Sequence, residues 1–320
     1  MSKSLVGVIG AGAWGTALAT VAARAGNDVR IQAREAEVVA SINGGHENTL
    51  FLPTVPLDPA IRATTDLGAM AQCALLLIVT PAQHVRATLA ALPDSAAPLV
   101  LCAKGIEANT QMLVSEVAKD VRPSARLAVL SGPTFAHEVA RGLPAAVTLA
   151  CEDEALWDAI SPLLSSARFR PYYSDDIVGA EIGGAVKNVL AVASGVVDGA
   201  NLGLNARAAV IARGFAEMQR FGLARGGRAE TLAGLAGLGD LVLTCSSENS
   251  RNFSLGRGLG QGASAAALLS DRRTVAEGAH TAPVLQAAAA AMGVEMPIVD
   301  AVCALLSGEQ GVAEVVERLM

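Results

Sequence analysis

One cation lies in a run that otherwise reads as a buried, small-residue helix, Glu181-Ile182-Gly183-Gly184-Ala185-Val186-Lys187-Asn188-Val189-Leu190. The run continues as Ala191-Val192-Ala193-Ser194-Gly195-Val196-Val197, and Asp198 is the next charge. Burial disfavours an ammonium, so a lysine in such a helix that opens on a cleft exchanges protons near neutrality. Lys187 is therefore the first candidate for acid-base chemistry. Gly183 and Gly184, one turn earlier on the same face, leave space beside the amine for a flat ligand. The competing structural reading is a lysine whose stem packs while its head reaches water, the glycines admitting a neighbouring helix.

A second chemical signature is Gly10-Ala11-Gly12-Ala13-Trp14-Gly15. It follows the apolar run Leu5–Ile9 and precedes a helix-like run from Thr16 to Ala25, after which Val29-Arg30-Ile31-Gln32 reads as another strand. A G-x-G-x-x-G within a strand–helix–strand unit is the dinucleotide fingerprint. Glycines give the tight turn, the close approach of backbone to a pyrophosphate and the packing of helix on strand, while the helix N-terminus supplies N–H donors. Gly10, Gly12 and Gly15 are thus cofactor candidates. Sites selective for NAD place Asp or Glu at the end of the second strand. This chain has Gln32-Ala33-Arg34 there, and Arg34 can pair with a 2′-phosphate, which favours NADP over NAD.

These groups need a sheet to hold them. Ala74–Val79, Leu99–Ala103, Leu127–Leu130, Ala145–Leu149 and Phe169–Tyr173 read as further strands, several ending in polar or glycine-rich tails. Ligands bind beyond the carboxyl ends of parallel strands, so Lys104, Gly132 and Thr134 become site candidates by position; a solvated turn lysine is the competing reading for Lys104. Asn43 to Pro59, with His46 and three prolines, reads as a connecting loop without chemistry. Beyond Ser174-Asp175-Asp176 the period becomes helical: the Lys187 helix, Ala206 to Phe221, Gly237 to Thr244 and Ala279 to Met292. The expected architecture is α/β, a Rossmann-type doubly wound sheet over 1–176 followed by an all-α domain over 177–320. The long helix is expected to line an interdomain cleft.

Two polar groups stand out in the helical half. Asp240, after Gly237-Leu238-Gly239, either caps the following helix or serves the site. Ser246-Ser247-Glu248-Asn249-Ser250-Arg251-Asn252 gathers hydroxyl, amide and guanidinium donors suited to a phosphate or carboxylate, unless it is merely a polar turn. Glu277 is open between solvent and a ligand hydroxyl.

Composition bounds the alternatives. The 320 residues are 52% hydrophobic and 17% charged with a net charge of -6, and no dense basic run marks a nucleic-acid or anionic-membrane surface. Five scattered cysteines and four scattered histidines lack metal-site or disulfide spacings. Met1-Ser2-Lys3-Ser4 leads directly into a strand, leaving no room for a signal peptide, and no uninterrupted apolar stretch of about 18 residues predicts a membrane span. The cysteines read as reduced core thiols of a cytoplasmic protein.

Taken together, Gly10-Ala-Gly-Ala-Trp-Gly15-Thr16, Ser131-Gly-Pro-Thr-Phe135-Ala136, Gly184-Ala-Val-Lys187-Asn188-Val189, Gly237-Leu-Gly-Asp240-Leu-Val-Leu-Thr-Cys245 and Asn249-Ser-Arg-Asn252 resemble the bacterial-type NAD(P)-dependent glycerol-3-phosphate dehydrogenases. The likeness runs in the family's order along nearly the whole chain. It implies interconversion of sn-glycerol 3-phosphate and dihydroxyacetone phosphate, the reductive direction feeding phospholipid synthesis. By the same resemblance Lys187 is the proton donor and acceptor, and Lys104, Gly132, Thr134, Asp240, Ser250, Arg251 and Asn252 contact the small phosphate substrate. Trp14, Arg34, Lys104, Ala136, Arg251, Val275 and Glu277 contact the cofactor, NADP or NAD. Ala13 replaces a serine often found in this loop, which removes one side-chain bond to the pyrophosphate. Nothing in the sequence sets the oligomeric state, with which a homodimer is compatible. The rival readings are a 3-hydroxy-acid or sugar-acid dehydrogenase of similar architecture, and a redox sensor that binds NADP without turnover.

Overall fold

The computed structural model describes residues 3–270 and 276–319. The chain divides into two compact units, one of Met1–Ala103 with Val114–Ile177 and the other of Lys104–Leu113 with Val178–Met320.

The first unit contains β1 (Leu5–Ile9), β2 (Asp28–Gln32), β3 (Glu47–Asn48), β4 (Leu52–Pro56), β5 (Ile61–Thr64), β6 (Leu75–Ile78), β7 (Leu99–Leu101), β8 (Leu127–Ser131), β9 (Ala145–Cys151) and β10 (Phe169–Ser174). Eight of them form one sheet in the order β10-β9-β8-β7-β6-β1-β2-β5. The central β6, β7 and β8 are buried at every residue, which is why they read as continuous apolar runs. The two edge strands, β5 and β10, alternate instead. Pro171 is tolerated in β10 because an edge strand has a free side. Helices α1 (Ala13–Arg24), α2 (Ala36–Gly45), α3 (Val85–Ala91), α4 (Val114–Val121), α5 (Ala136–Ala140) and α6 (Glu154–Leu164) belong to this unit.

Two features depart from the sequence reading. The pairing is parallel throughout except that β9 runs antiparallel to β8. The intervening α5 has five residues and, at about 1.5 Å per residue, is too short to carry the chain back along the strand it leaves. Nor is Asn43 to Pro59 a bare loop. Asn43, Gly44 and Gly45 form the last turn of α2, and β3 and β4 make an antiparallel hairpin. Asn43 then grips edge strand β5 as a strand partner does: its Nδ2 donates to the Ala63 carbonyl (2.9 Å) and its Oδ1 accepts from the Ala63 N–H (2.8 Å).

The second unit is helical: α7 (Ile177–Gly199), α8 (Gly203–Ala224), α9 (Ala229–Ala233), α10 (Asp240–Cys245), α11 (Arg251–Gly260), α12 (Ala265–Leu268), α13 (Glu277–Ala291), α14 (Pro297–Ser307) and α15 (Val312–Leu319). The α7 helix is long and apolar enough to cross a membrane by length and composition, but every residue from Gly179 to Val197 is buried and it forms the axis of this unit's core. It packs tightly on α11. A Cβ on Gly195 or Gly199 would overlap the Phe253 or Arg257 carbonyl, and one on Gly256 or Gly260 would overlap the Val192 or Val196 carbonyl. The two backbones are thus in contact, and side chains one turn earlier on α7 are brought against the start of α11.

Candidate active site

Lys187 sits midway along α7 with its side chain 8% exposed, so its head does not snorkel to bulk water. Its Nζ donates to Asp240 Oδ1 at 2.7 Å and to Thr244 Oγ1 at 3.0 Å. The other carboxylate oxygen, Oδ2, accepts from Lys104 Nζ at 2.7 Å. Asp240 has no solvent exposure and carries one negative charge between two cations. Burial pulls the Lys187 amine down from the ordinary lysine value to about 8. The Asp240 charge opposes that fall, and the Lys104 ammonium adds to it. An amine so placed is an acid able to exchange its proton in the neutral range.

Local backbone structure fixes this geometry. Before α10, Leu235–Gly239 makes a single wide turn closed by Gly239 N–H donating to the Gly234 carbonyl (3.0 Å), five residues back. The turn presses on α7 where Gly183 lies, since a Cβ there would overlap the Ala236 carbonyl. The space at Gly183 is therefore filled by protein, not free for a flat ligand. Asp240 becomes the first residue of α10 and its side chain does not cap that helix: Gly239 stands at the cap position. Thr244, four residues on, donates to the Asp240 carbonyl (2.6 Å) and presents its oxygen to Lys187.

Lys104 belongs to the segment Lys104–Leu113, which groups with the helical unit and is pinched by an antiparallel bridge between Ile106 and Leu113. Its carbonyl accepts from Asn188 Nδ2 (3.2 Å). Asn188 Oδ1 accepts from Asn252 Nδ2 (2.9 Å), and Asn252 Oδ1 accepts from the Gly278 N–H (2.9 Å). This relay fixes the segment, α7, α11 and the start of α13 to one another. Ser250 caps α11, its Oγ accepting from the Phe253 N–H (3.2 Å). Arg251, the first residue of α11, is exposed. Glu277 opens α13 half-buried. Burial raises its carboxyl above the usual value, opposed by the charges of Lys187, Lys104 and Arg251.

The remaining predicted residues, Val275 excepted, lie in the sheet unit. Gly10 has φ +105° and Gly132 φ +149°, backbone that favours glycine. A Cβ on Gly132 would also lie 2.9 Å from Val147 Cα on β9, so strand packing accounts for that residue. A Cβ on Gly15 would overlap the Gly10 carbonyl, as helix-on-strand packing requires. Gly12 differs: its φ of -66° and ψ of -179° suit any residue, and nothing lies within 4 Å of a Cβ there. The protein makes no demand for glycine at this position, whereas a ligand lying against the backbone does. Buried polar atoms without a partner among the described residues include Trp14 Nε1, Thr80 Oγ1 just past β6 and Ser131 Oγ at the end of β8. Such a turn, with free N–H donors and no acidic residue in the first turn of α1, fits a dinucleotide pyrophosphate. Arg34 follows β2 with its side chain 82% exposed and 3.6 Å from Glu35. Thr134 Oγ1 donates to the Gly132 carbonyl (3.3 Å), and Ala136 is the first residue of α5. Val275 falls outside the described residues.

Sequence reasoning missed Thr244, Asn188 and Thr80. Thr244 carries a faint signal, one helical turn after Asp240, and Asn188 is marked only by adjacency to Lys187. Nothing in the apolar run before Thr80 distinguishes its hydroxyl.

Residues 5–157 match the sequence model of the NAD-dependent glycerol-3-phosphate dehydrogenase N-terminus, and residues 176–317 match that of the C-terminus. The chain is 59% identical to glycerol-3-phosphate dehydrogenase [NAD(P)+] 1 of Sphingopyxis alaskensis, with 98% of this chain and 95% of that protein covered. It is 60% identical to the glycerol-3-phosphate dehydrogenase [NAD(P)+] of Novosphingobium aromaticivorans, covering 98% and 96%. Among solved structures it is similar to glycerol-3-phosphate dehydrogenase from Coxiella burnetii, with a TM-score of 0.95, 37% identity and 99% and 98% coverage.

Proposed function

We propose that this chain, which belongs to the NAD-dependent glycerol-3-phosphate dehydrogenase family, interconverts sn-glycerol 3-phosphate and dihydroxyacetone phosphate, with NADPH the favoured reductant. The reductive direction supplies glycerol 3-phosphate for phospholipid synthesis. The observation that carries the reading is the buried Lys187 amine, 2.7 Å from Asp240 and with its pKa brought to about 8.

When bound, the dinucleotide supplies the hydride. Gly10, Gly12, Gly15 and Trp14 would hold it, with Arg34 beside a 2′-phosphate and Ala136, Val275 and Glu277 as further contacts. Lys187 does the acid-base work: as the carbonyl oxygen at C2 gains negative charge, the protonated amine stabilises it and gives up its proton, help typically worth about 10² to 10⁴ in rate. Lys104 adds a second positive charge. Asp240 holds both amines in place and keeps Lys187 protonated in the working range. Arg251, with Ser250 and Asn252 at the N-terminus of α11, binds the substrate phosphate, and Gly132 and Thr134 complete the substrate contacts. Support for the phosphate role is the exposed guanidinium in the first turn of α11, where the helix N-terminus favours an anion. The five cysteines, scattered along the chain without disulfide spacings, support a reducing, cytoplasmic setting.

The test follows absorbance at the reduced-nicotinamide band while dihydroxyacetone phosphate is added with NADPH or NADH. Oxidation that depends on the ketone phosphate, faster with NADPH, is expected. Oxidation driven instead by 3-keto acids, or tight NADPH binding without oxidation by any ketone phosphate, overturns the proposal.

A further inference from the structure

Asn48 lies on β3, in the stretch whose composition shows no chemistry, yet its side chain has no solvent exposure. Its Nδ2 donates to the Ala11 carbonyl and to Thr16 Oγ1, both at 2.8 Å. Its Oδ1 accepts from the Phe51 N–H at 3.1 Å, which decides which end of the amide faces the glycine turn. The Thr16 hydroxyl completes the triangle by donating to the same Ala11 carbonyl (3.4 Å). The hairpin behind Asn48 is braced in turn: Ser41 Oγ donates to the Glu47 carbonyl (2.6 Å), and Glu47 Oε1 accepts from the Thr54 N–H (2.7 Å).

A trans peptide points its carbonyl and the following N–H in opposite directions. An Ala11 carbonyl drawn inward by two donors therefore turns the Gly12 N–H outward, at the one glycine of the turn whose missing side chain the protein does not itself explain. From this geometry we infer that Asn48 is a positioning residue of the cofactor site, presetting the Gly12 amide as a donor to the pyrophosphate before any ligand arrives. The cost of orienting that peptide is met in folding instead of in binding. The inference rests on the dinucleotide reading of the turn.

The test is Asn48→Asp in the full chain. Aspartate keeps the shape and can still accept from Phe51, but when ionised it has no proton to donate and repels the Ala11 carbonyl. Binding of NADP+ is read by quenching of tryptophan fluorescence, Trp14 lying in the turn itself. The expected result is a Kd raised about ten-fold, with kcat at saturating cofactor and KM for dihydroxyacetone phosphate held in a chain that is less stable but still folded at the assay temperature. Asn48→Ala serves as a second variant if the aspartate chain does not fold. An unchanged Kd in a folded variant overturns the inference. So does a parallel collapse of kcat, both KM values and the melting temperature, which marks a hairpin anchor and nothing more. Failure of the unsubstituted chain to bind NADP+ or NAD+ removes the dinucleotide reading and this assignment with it.

Discussion

Asp240→Asn replaces the buried carboxylate by a neutral group of the same shape, leaving Lys187 and Lys104 to face each other. Asp240 lies 2.7 Å from both amines, and its charge raises the Lys187 pKa while Lys104 lowers it. An opposite charge at such range moves a pKa by about 1–3 units, so the Lys187 amine drops from about 8 toward about 5–7. The sign follows: reduction needs the protonated amine, so the limb on which activity falls with rising pH moves to lower pH. At pH 7.5 an amine titrating near 8 is about three-quarters protonated and one near 6 about 3%, a loss of about 25-fold from protonation alone. Lys104→Met shifts the same limb the other way, because it removes the cation that competes for Asp240. The assay is kcat/KM for reduction of dihydroxyacetone phosphate over a range of pH, each variant read as its displacement from the unsubstituted enzyme so that titration of the substrate cancels. Circular dichroism confirms folding. If both folded variants keep the limb where the unsubstituted enzyme has it, Asp240 and Lys104 do not set the charge on Lys187 and the reasoning fails.

Three further outcomes are expected. Arg251→Ala raises KM for dihydroxyacetone phosphate at least ten-fold, since hydrogen bonds to charged groups are worth about 1.5–3 kcal/mol, with the melting temperature held because the side chain is exposed; a normal KM removes Arg251 from the phosphate site. Gly195→Ala forces α7 and α11 apart against the Phe253 carbonyl and lowers stability by about 3 kcal/mol, measured by denaturant unfolding; a neutral effect denies the backbone contact. Glu217, buried in α8, accepts from the Ile298 N–H (2.8 Å) and the Val299 N–H (3.3 Å) at the start of α14, and burial pushes its carboxyl up to about 7. A folded-state pKa above the unfolded value means the native state holds the extra proton, so the stability this group contributes is fully present below about pH 4.5 and is lost as pH rises through about 7. Glu217→Gln should flatten that part of the melting-temperature profile, and an unaltered slope between those limits would falsify the assignment.

The sequence alone determined the sheet, the glycine turn and the long helix, because these rest on local signals: continuous apolar runs for doubly covered strands, a spaced glycine motif between strand and helix, and a lysine that is the only cation of its helix. It also supplied Asp240 and Lys104 as candidates, but not that one carboxylate serves both amines. That meeting depends on residues separated by 136 and 53 positions, brought together by a wide turn resting on Gly183 and by a short segment, Lys104–Leu113, whose composition gives no hint that it groups with the helices. The reversed direction of β9 followed from the length of α5, which periodicity could not bound. The roles of Asn48, Thr244 and Asn188 were decided by tertiary structure alone: a polar side chain carries no mark of its partner until the chain has closed around it, and only then does burial make the bond obligatory.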